Sequence, residues 1–287
     1  MDTDRLWDEL EDALLPMYQD YRRRLGSLQV EKKLDQTLLS EADLAVQERI
    51  VAIVRKADPK ARFIAEETGI DRPATVEPVD SQIWIIDPID GTREFLSPTG
   101  NEFCSVVCRL ENLVPVAAFV LAPELARGSQ ALSIRVSGDS FVIRANGDDA
   151  RRQAPRHSSP KLASVTRSAG DLERPWEPEL SNAGYRMKVR TTSQTLDMVR
   201  TCVDLSGYTE TPLQPFDLFY REAQKLWDGA AGLCLSRVTG RVAVDRHGAS
   251  LLPISASLLE SDEPTFGSTL VGPKDVIKWF LSKTADS

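Results

Sequence analysis

The chain has 287 residues, 41% of them apolar and 27% charged, with a formal net charge of −8. That is an ordinary globular composition with ample material for one large or two small cores. The acidic excess excludes a general nucleic-acid surface, which needs a basic footprint, but it is compatible with a nucleotide as a small substrate and with carboxylate sites for hard cations.

Leu6, Leu10, Ala13, Leu14, Met17 and Tyr21 recur at helical spacing, which predicts an amphipathic helix over 3–24 with a kink or break at Pro16. A polar connector, Lys32 to Thr37, follows. Ser40-Glu41-Ala42-Asp43 opens a second helix to Lys56, stopped by Asp58-Pro59. Ser40 suits the N-cap and Asp43 the third helical position, so a capping box is one account of Asp43. A short strand over 61–65 ends on Glu66-Glu67, acids that are ordinarily solvated at such a place. After a loop to Gln82, Ile83-Trp84-Ile85-Ile86 is an apolar run suited to a strand covered on both faces. Asp87 ends that run, Pro88 fixes φ, and Asp90-Gly91 is a turn pair. A plain strand end with a turn is one account of these two acids. Ser97 to Gly100 reads as a turn, and strands near 103–110 and 114–121 form a hairpin that Pro123 ends. Shorter strands are predicted near 131–136 and 140–144.

The polar, Pro-bearing stretch from Asn146 to Pro160 marks an internal boundary. It divides the chain into an N-terminal α+β domain, 1–152, and a C-terminal α/β domain, 153–287. The second half alternates: strand 162–166, helix 176–183, strand 185–190, helix 194–204, helix 229–236 capped by Asp228, and strand 241–244. A turn at Asp245 and Gly248 follows, and Gly272-Pro273 opens a last helix.

Cys104, Cys108, Cys202 and Cys234 form no CxxC pair, so buried thiols in a reducing, cytoplasmic setting are expected. The acidic start lacks the apolar core of a signal peptide, and no stretch approaches the length of a membrane span. The two histidines, His157 and His247, fall in polar stretches, which argues against a His triad or a zinc site.

Hydrolytic chemistry would therefore rest on carboxylates. Five candidates, Asp43, Glu66, Asp87, Asp90 and Asp228, each fall at an end of a predicted strand or helix. If they converge, they repel one another unless divalent cations neutralise them, and oxygen-only ligands favour Mg²⁺ or Mn²⁺ over zinc. Two such ions about 4 Å apart can clamp a phosphoryl group and activate a water. Gly91 and Thr92 would then offer backbone N–H groups to phosphate oxygens, with the Thr92 hydroxyl orienting the water.

Asp87-Pro88-Ile89-Asp90-Gly91-Thr92, with Glu66-Glu67 upstream and Trp227-Asp228-Gly229-Ala230-Ala231-Gly232 downstream, resembles the three defining blocks of the inositol monophosphatase superfamily. Ser40 to Asp43 is similar to a further block, and Gly240, Asp245 and Gly248 fit the family's closing strand and turn. The resemblance covers nearly the whole chain. It implies a layered α/β/α/β sandwich of the inositol monophosphatase and fructose-1,6-bisphosphatase type. It also implies a lithium-sensitive phosphomonoesterase using two or three Mg²⁺ ions, with Mn²⁺ as an alternative. By position, Glu66, Asp87, Asp90, Asp228 and the Ile89 carbonyl would bind metal, and Glu67 would do so directly or through water. Asp43 and Thr92 would activate the attacking water, Glu66 would hold the ion that polarises it, and Asp90, Gly91 and Thr92 would face the phosphate. Family members are often dimers, so a homodimer stays open.

Arg93-Glu94-Phe95 and Asn101-Glu102-Phe103 look most like the 3′(2′),5′-bisphosphate nucleotidase branch. The chain departs from that branch at Thr166-Arg167-Ser168-Ala169, where the branch has Ser-Arg-Ser-His. It departs again at Ser193-Gln194-Thr195-Leu196-Asp197, where the branch has Gly-Ser-Ser-Leu-Lys, and Pro215 to Lys225 also matches poorly. Arg167 and Ser168 are the candidate substrate contacts. A nucleotide such as adenosine 3′,5′-bisphosphate is the leading expected substrate. An inositol or sugar monophosphate is the alternative, and a non-catalytic binding protein on this fold a further one.

Overall fold

The computed structural model describes residues 2–32, 38–67, 82–145, 161–168 and 170–284, together with the backbone of 148–150. The loop expected between Thr68 and Ser81, most of the boundary stretch, and His157 lie outside the described residues. The first half contains α1 (Thr3–Arg23), β1 (Val30–Lys32), β2 (Leu38–Ser40), α2 (Glu41–Ala57), β3 (Arg62–Ala65), β4 (Ile83–Asp90) and α3 (Thr92–Leu96). It continues with β5 (Cys104–Glu111), β6 (Val114–Ala126), β7 (Gln130–Ser137), β8 (Ser140–Ala145) and β9 (Asp148–Ala150). The second half contains β10 (Lys161–Arg167), α4 (Glu177–Asn182), β11 (Tyr185–Arg190), α5 (Gln194–Cys202), β12 (Leu218–Lys225) and α6 (Leu226–Thr239). It ends with β13 (Val242–Val244), α7 (Ala256–Glu260), β14 (Thr265–Gly272) and α8 (Lys274–Thr284).

Strand β4 shows how the layers form. Its apolar residues alternate between two cores. Trp84 and Ile86 join Leu6, Trp7, Leu10 and Leu14 of α1 and Val46 and Ile50 of α2. Ile83 and Ile85 face the other way, into a core with Leu196 and Val199 of α5 and Ala230, Ala231 and Leu233 of α6. The sheet containing β4 has the order β3-β4-β5-β6-β7-β8-β9 and is antiparallel except for the β3–β4 pair. The second sheet, β11-β10-β12-β14-β13, supplies Phe219, Phe266 and Val271 to the α5–α6 core. Its outer face packs Leu218, Tyr220 and Leu270 against Trp176, Leu180 of α4 and Phe280 of α8. The expected order of helices, sheet, helices, sheet is thus present, and α4 and α8 add an outer cover.

Several local expectations change. α1 is one helix through Pro16, not broken there. Pro16 and Asp12, whose carbonyl loses its partner, are both exposed, while Leu10, Leu14 and Tyr18 bury one continuous face. Two short strands, β1 and β2, flank the connector after α1 and pair Val30↔Ser40. β4 does not stop at Asp87 but continues to Asp90, with a register shift between those residues that accommodates the missing N–H of Pro88. β6 likewise passes Pro123, with its irregularity between Ala122 and Ala126. β12 and β14 were not expected at all. β12 reads Leu-Phe-Tyr-Arg-Glu-Ala-Gln-Lys, with neither alternation nor a sustained apolar run, yet it is the central strand of the second sheet. The four cysteines are free and buried, as expected. Among the described residues no helix is long and apolar enough to cross a membrane.

Candidate metal centre

The bulge at the end of β4 aims two carboxylates to one side. Its geometry is held from behind by Tyr18, whose hydroxyl donates to the Pro88 carbonyl at 2.9 Å, and by the Ser105 hydroxyl, 2.8 Å from the same oxygen. The chain then turns at Gly91, whose φ of +95° suits glycine. A Cβ there would also meet the Glu102 carbonyl at 3.0 Å and the Thr192 carbonyl at 3.2 Å. Gly91 is therefore required both by backbone conformation and by the close approach of two neighbouring segments of the chain.

Asp90 is received by the start of α5. Its Oδ2 accepts from the Thr195 amide at 2.7 Å and the Ser193 hydroxyl at 2.7 Å, and its Oδ1 from the Gln194 amide at 3.3 Å. Ser193 is at the same time the N-cap of α5, accepting from the Leu196 amide. Asp228 enters from the first turn of α6, where Gln194 Nε2 donates to its Oδ2 at 2.6 Å and Thr195 Oγ1 donates to its carbonyl at 2.9 Å. Asp228 is thus inside α6, whose N-cap is Lys225, and does not itself cap the helix. Carboxylate oxygens of Asp87, Asp90 and Asp228 all lie within 4.8 Å of one another, and all three residues are buried.

The second carboxylate group comes from α2 and β3. Asp43 is fully buried, and its Oδ2 accepts from the Ser40 amide at 2.7 Å and the Ser40 hydroxyl at 2.5 Å. Its Oδ1 faces the Thr92 hydroxyl at 3.3 Å, which also lies 3.1 Å from the Ile89 carbonyl. Asp43 therefore closes the capping box and also faces the Thr92 hydroxyl. The Glu66 amide donates to the Ile86 carbonyl, which fixes Glu66 beside β4. Glu67 is buried, with its backbone clamped by Gln47 through two hydrogen bonds of 3.0 and 3.2 Å.

Electrostatics set the chemistry of this cluster. Asp87 offers two buried oxygens that find no N–H or O–H donor among the described residues. Burial first, then the charges of Glu66, Asp90 and Asp228, push its carboxyl well above the usual range. Burial and the charges of Asp90 and Glu66 do the same to Asp228, against the pull of Arg221. Burial raises Asp90 as well, opposed by its bonds to Ser193, Thr195 and Gln194. Hard oxygen donors, mutually repelling and partly without donors, fit a divalent cation such as Mg²⁺. The sign of the pH dependence follows. The folded, cation-free chain holds more protons on these acids than the unfolded chain at pH values above the ordinary carboxylate value of 3.8. That part of its stability therefore falls as pH rises toward the raised values, whereas cation binding needs the deprotonated forms and releases protons. The rise in Tm caused by Mg²⁺ is expected to grow between about pH 5 and pH 8. Calorimetry with and without the ion checks this, and an increment that shrinks over that range contradicts it.

The expected substrate contacts sit at the end of β10. Arg167 Nη1 forms an ion pair with buried Glu177 at 2.8 Å. Ser168 Oγ accepts from Arg221 Nη2 at 3.0 Å. Asp197 is fully buried against Lys188 at 2.7 Å and Ser164 at 2.8 Å, so it belongs to an internal ion-pair network. Sequence reasoning missed the residues that position the acids: Tyr18, Gln47, Ser105, Ser193, Gln194 and Thr195. Ser193 alone carried a signal, an N-cap residue directly before a predicted helix.

The family model for the inositol monophosphatase family matches residues 9–272. The chain is 25% identical over 265 residues to the Nus factor SuhB of Haemophilus influenzae, covering 92% of this chain and 88% of that protein. It is 24% identical over 242 residues to the 3′(2′),5′-bisphosphate nucleotidase CysQ of Salmonella typhimurium, covering 84% and 87%. Its fold is similar to that of an IMPase/NADP phosphatase complexed with Mg²⁺ and phosphate, with a TM-score of 0.73 at 14% identity over 100% of this chain and 97% of the other. With this match along nearly its full length, and with Asp87, Asp90 and Asp228 of two of the blocks gathered in one buried cluster, the chain belongs to the inositol monophosphatase family.

Proposed function

We propose that the protein is a Mg²⁺-dependent phosphomonoesterase acting on a small phosphorylated metabolite, a nucleotide or a nucleotide-like compound. The observation that carries this is the buried triad of Asp87, Asp90 and Asp228, with Asp87 lacking any donor among the described residues. Glu66, Glu67 and the Ile89 carbonyl complete the ligands that would hold two or three ions. When bound, the ions would neutralise these carboxylates, lower the pKa of a water and polarise the phosphoryl oxygens.

The chain's own residues do the rest. Thr92 Oγ donates toward Asp43 Oδ1 and can accept from a water on its open side, so the pair draws a proton from water toward Asp43. The Gly91 and Thr92 amides, at the left-handed turn, are offered to phosphate oxygens. Asp90, fixed by Ser193 and Thr195, is held rigid where it would bind a metal ion and face the phosphate. The nucleotide preference draws on the similarity to a bisphosphate nucleotidase and to an IMPase/NADP phosphatase. A non-catalytic role is the second reading, because one relative is named a Nus factor. Phosphate release from adenosine 3′,5′-bisphosphate, adenosine 3′-monophosphate, NADP and inositol 1-phosphate separates the two. Mg²⁺-dependent release that a chelator abolishes is the expected result, and a folded sample that hydrolyses none of them sinks the proposal.

A further inference from the structure

The ammonium of Lys188, on β11, sits among three oxygen acceptors: Glu102 Oε2 at 2.8 Å, Thr192 Oγ1 at 2.6 Å and Asp197 Oδ1 at 2.7 Å. A lysine has three N–H donors, so each of them is committed. Its side chain is 19% exposed, and Asp197 is fully buried. Thr192 Oγ1 donates in turn to Glu102 Oε2 at 2.8 Å, and Ser164 donates to the other oxygen of Asp197 at 2.8 Å. Burial would raise the Glu102 carboxyl, but Lys188 and the Thr192 bond hold it below its ordinary range. Arg200, 3.8 Å from Asp197, is the second cation, so among the described residues two acids face two cations here. Removing Lys188 leaves one of these acids uncompensated in a largely buried place.

The three partners come from separate parts of the chain. Glu102 precedes β5 of the first sheet, Thr192 lies between β11 and α5, and Asp197 is inside α5. Glu102 and Thr192 are also the residues whose backbone carbonyls close over Gly91. Ser193 and Thr195, which hold Asp90, stand just after Thr192. One ammonium therefore ties the first half of the chain to the second, at the turn that would face the phosphate. Arg190 reaches Glu94 across the same gap, but its side chain is 72% exposed, where an ion pair is screened and contributes little. Lys188 is the better-buried bridge of the two.

We propose that Lys188 is a positioning residue, clamping the Glu102 and Thr192 segments over Gly91 so that the Gly91 and Thr92 amides and the oxygens of Asp90 keep the geometry the reaction needs. Its effect on turnover rests on the phosphomonoesterase reading. With all three protons engaged inside the protein, Lys188 has no donor left for a substrate. Its loss therefore acts on kcat rather than on substrate binding. A displacement of about 1 Å at a reacting centre can cost on the order of 10²-fold in rate.

Three variants test the clamp on the phosphate ester that the wild type hydrolyses fastest, each below its own melting transition. Lys188→Met keeps the bulk of the stem and removes the charge. It is expected to lower kcat by about 10- to 100-fold with KM within about threefold of wild type. Glu102→Gln keeps the shape and leaves Lys188 paired with Asp197, so it reads the clamp even if Lys188→Met fails to fold. A loss of about three- to tenfold in kcat is expected there. Ser164→Ala touches the same network only through Asp197, and is expected to lower Tm while kcat stays within about threefold of wild type. An unchanged kcat in Glu102→Gln, a loss carried by KM, or an equal loss of kcat in Ser164→Ala overturns the proposal. Hydrogen exchange gives a readout without turnover. In Lys188→Met or Glu102→Gln the amides of 90–104 and 191–196 are expected to exchange about tenfold faster or more, with those of β7 and β8 unchanged. Acceleration spread evenly over the chain, or none, overturns the clamp. Local acceleration in a protein whose wild type hydrolyses no phosphate ester upholds the clamp and sinks the phosphatase reading instead.

Discussion

Replacing Asp87 by Asn is expected to stabilise the cation-free protein while abolishing its activity. Both Asp87 oxygens are buried without a donor, and three further carboxylates raise the cost of its charge. Asn keeps the volume, removes the charge and can donate toward Asp228. Relief of this repulsion is expected to add about 1–3 kcal/mol, or roughly 2–6 °C in Tm, in the presence of a chelator. The gain should be absent near the ordinary carboxylate value and grow as pH rises, because only the ionised form is repelled. Added Mg²⁺ should then stabilise the wild type much more than the variant, and turnover should fall by about 10³-fold or more, since a lost ligand removes several kcal/mol of charge stabilisation. Differential scanning calorimetry and phosphate release read the two effects separately. An Asn variant that melts lower than wild type in chelator would mean that the acids are not held against their own repulsion.

The second large effect is expected at Asp43. This residue has one oxygen on Ser40 and the other toward Thr92, so its structural and chemical duties can be separated. In Asp43→Asn the amide oxygen can keep the Ser40 bonds while the NH₂ faces Thr92, where it donates instead of accepting. The helix cap should lose only about 0.5–1 kcal/mol. Loss of the proton acceptor should lower kcat by about 10²–10⁴-fold with KM little changed. Thr92→Ala should fall to a similar level, and the double variant no further, because the two groups act as a unit. If kcat of Asp43→Asn stays within about threefold of wild type, the carboxylate is a cap only.

The metal blocks were legible because each rests on local sequence. Asp87 and Asp90 follow an apolar run suited to a buried strand, and Pro88 and Gly91 punctuate it. Asp43 follows an N-cap, and Asp228 precedes a run of small residues that can approach closely. The resemblance to a family then joined blocks that lie far apart in the chain. The layering was implied by the resemblance to a family, and the alternation of strand and helix patterns agreed with it, but β12 was not legible. Its second half carries Arg221, Glu222, Gln224 and Lys225, and it becomes a strand because β14 pairs with it along its length while β10 pairs with Leu218 and Phe219. Strand character there comes from neighbours, not from propensity.

By itself the sequence marked Asp43, Glu66, Asp87, Asp90 and Asp228 as candidate oxygen ligands, because each falls at an end of a predicted element and their blocks resemble those of one family. Tertiary structure alone decided what holds those ligands still and what faces them. The amides of Gln194 and Thr195 reach Asp90 across more than a hundred residues. The Tyr18 hydroxyl reaches the Pro88 carbonyl from a different layer. Asp197, which stands in place of a lysine expected near the substrate, turned inward to Lys188, while Arg221, in a segment with no readable pattern, was left as the buried cation beside the cluster. Hydrogen bonds and charge pairs of this kind depend on distances between elements, and those distances are set by how the sheets and helices pack, not by spacing along the chain.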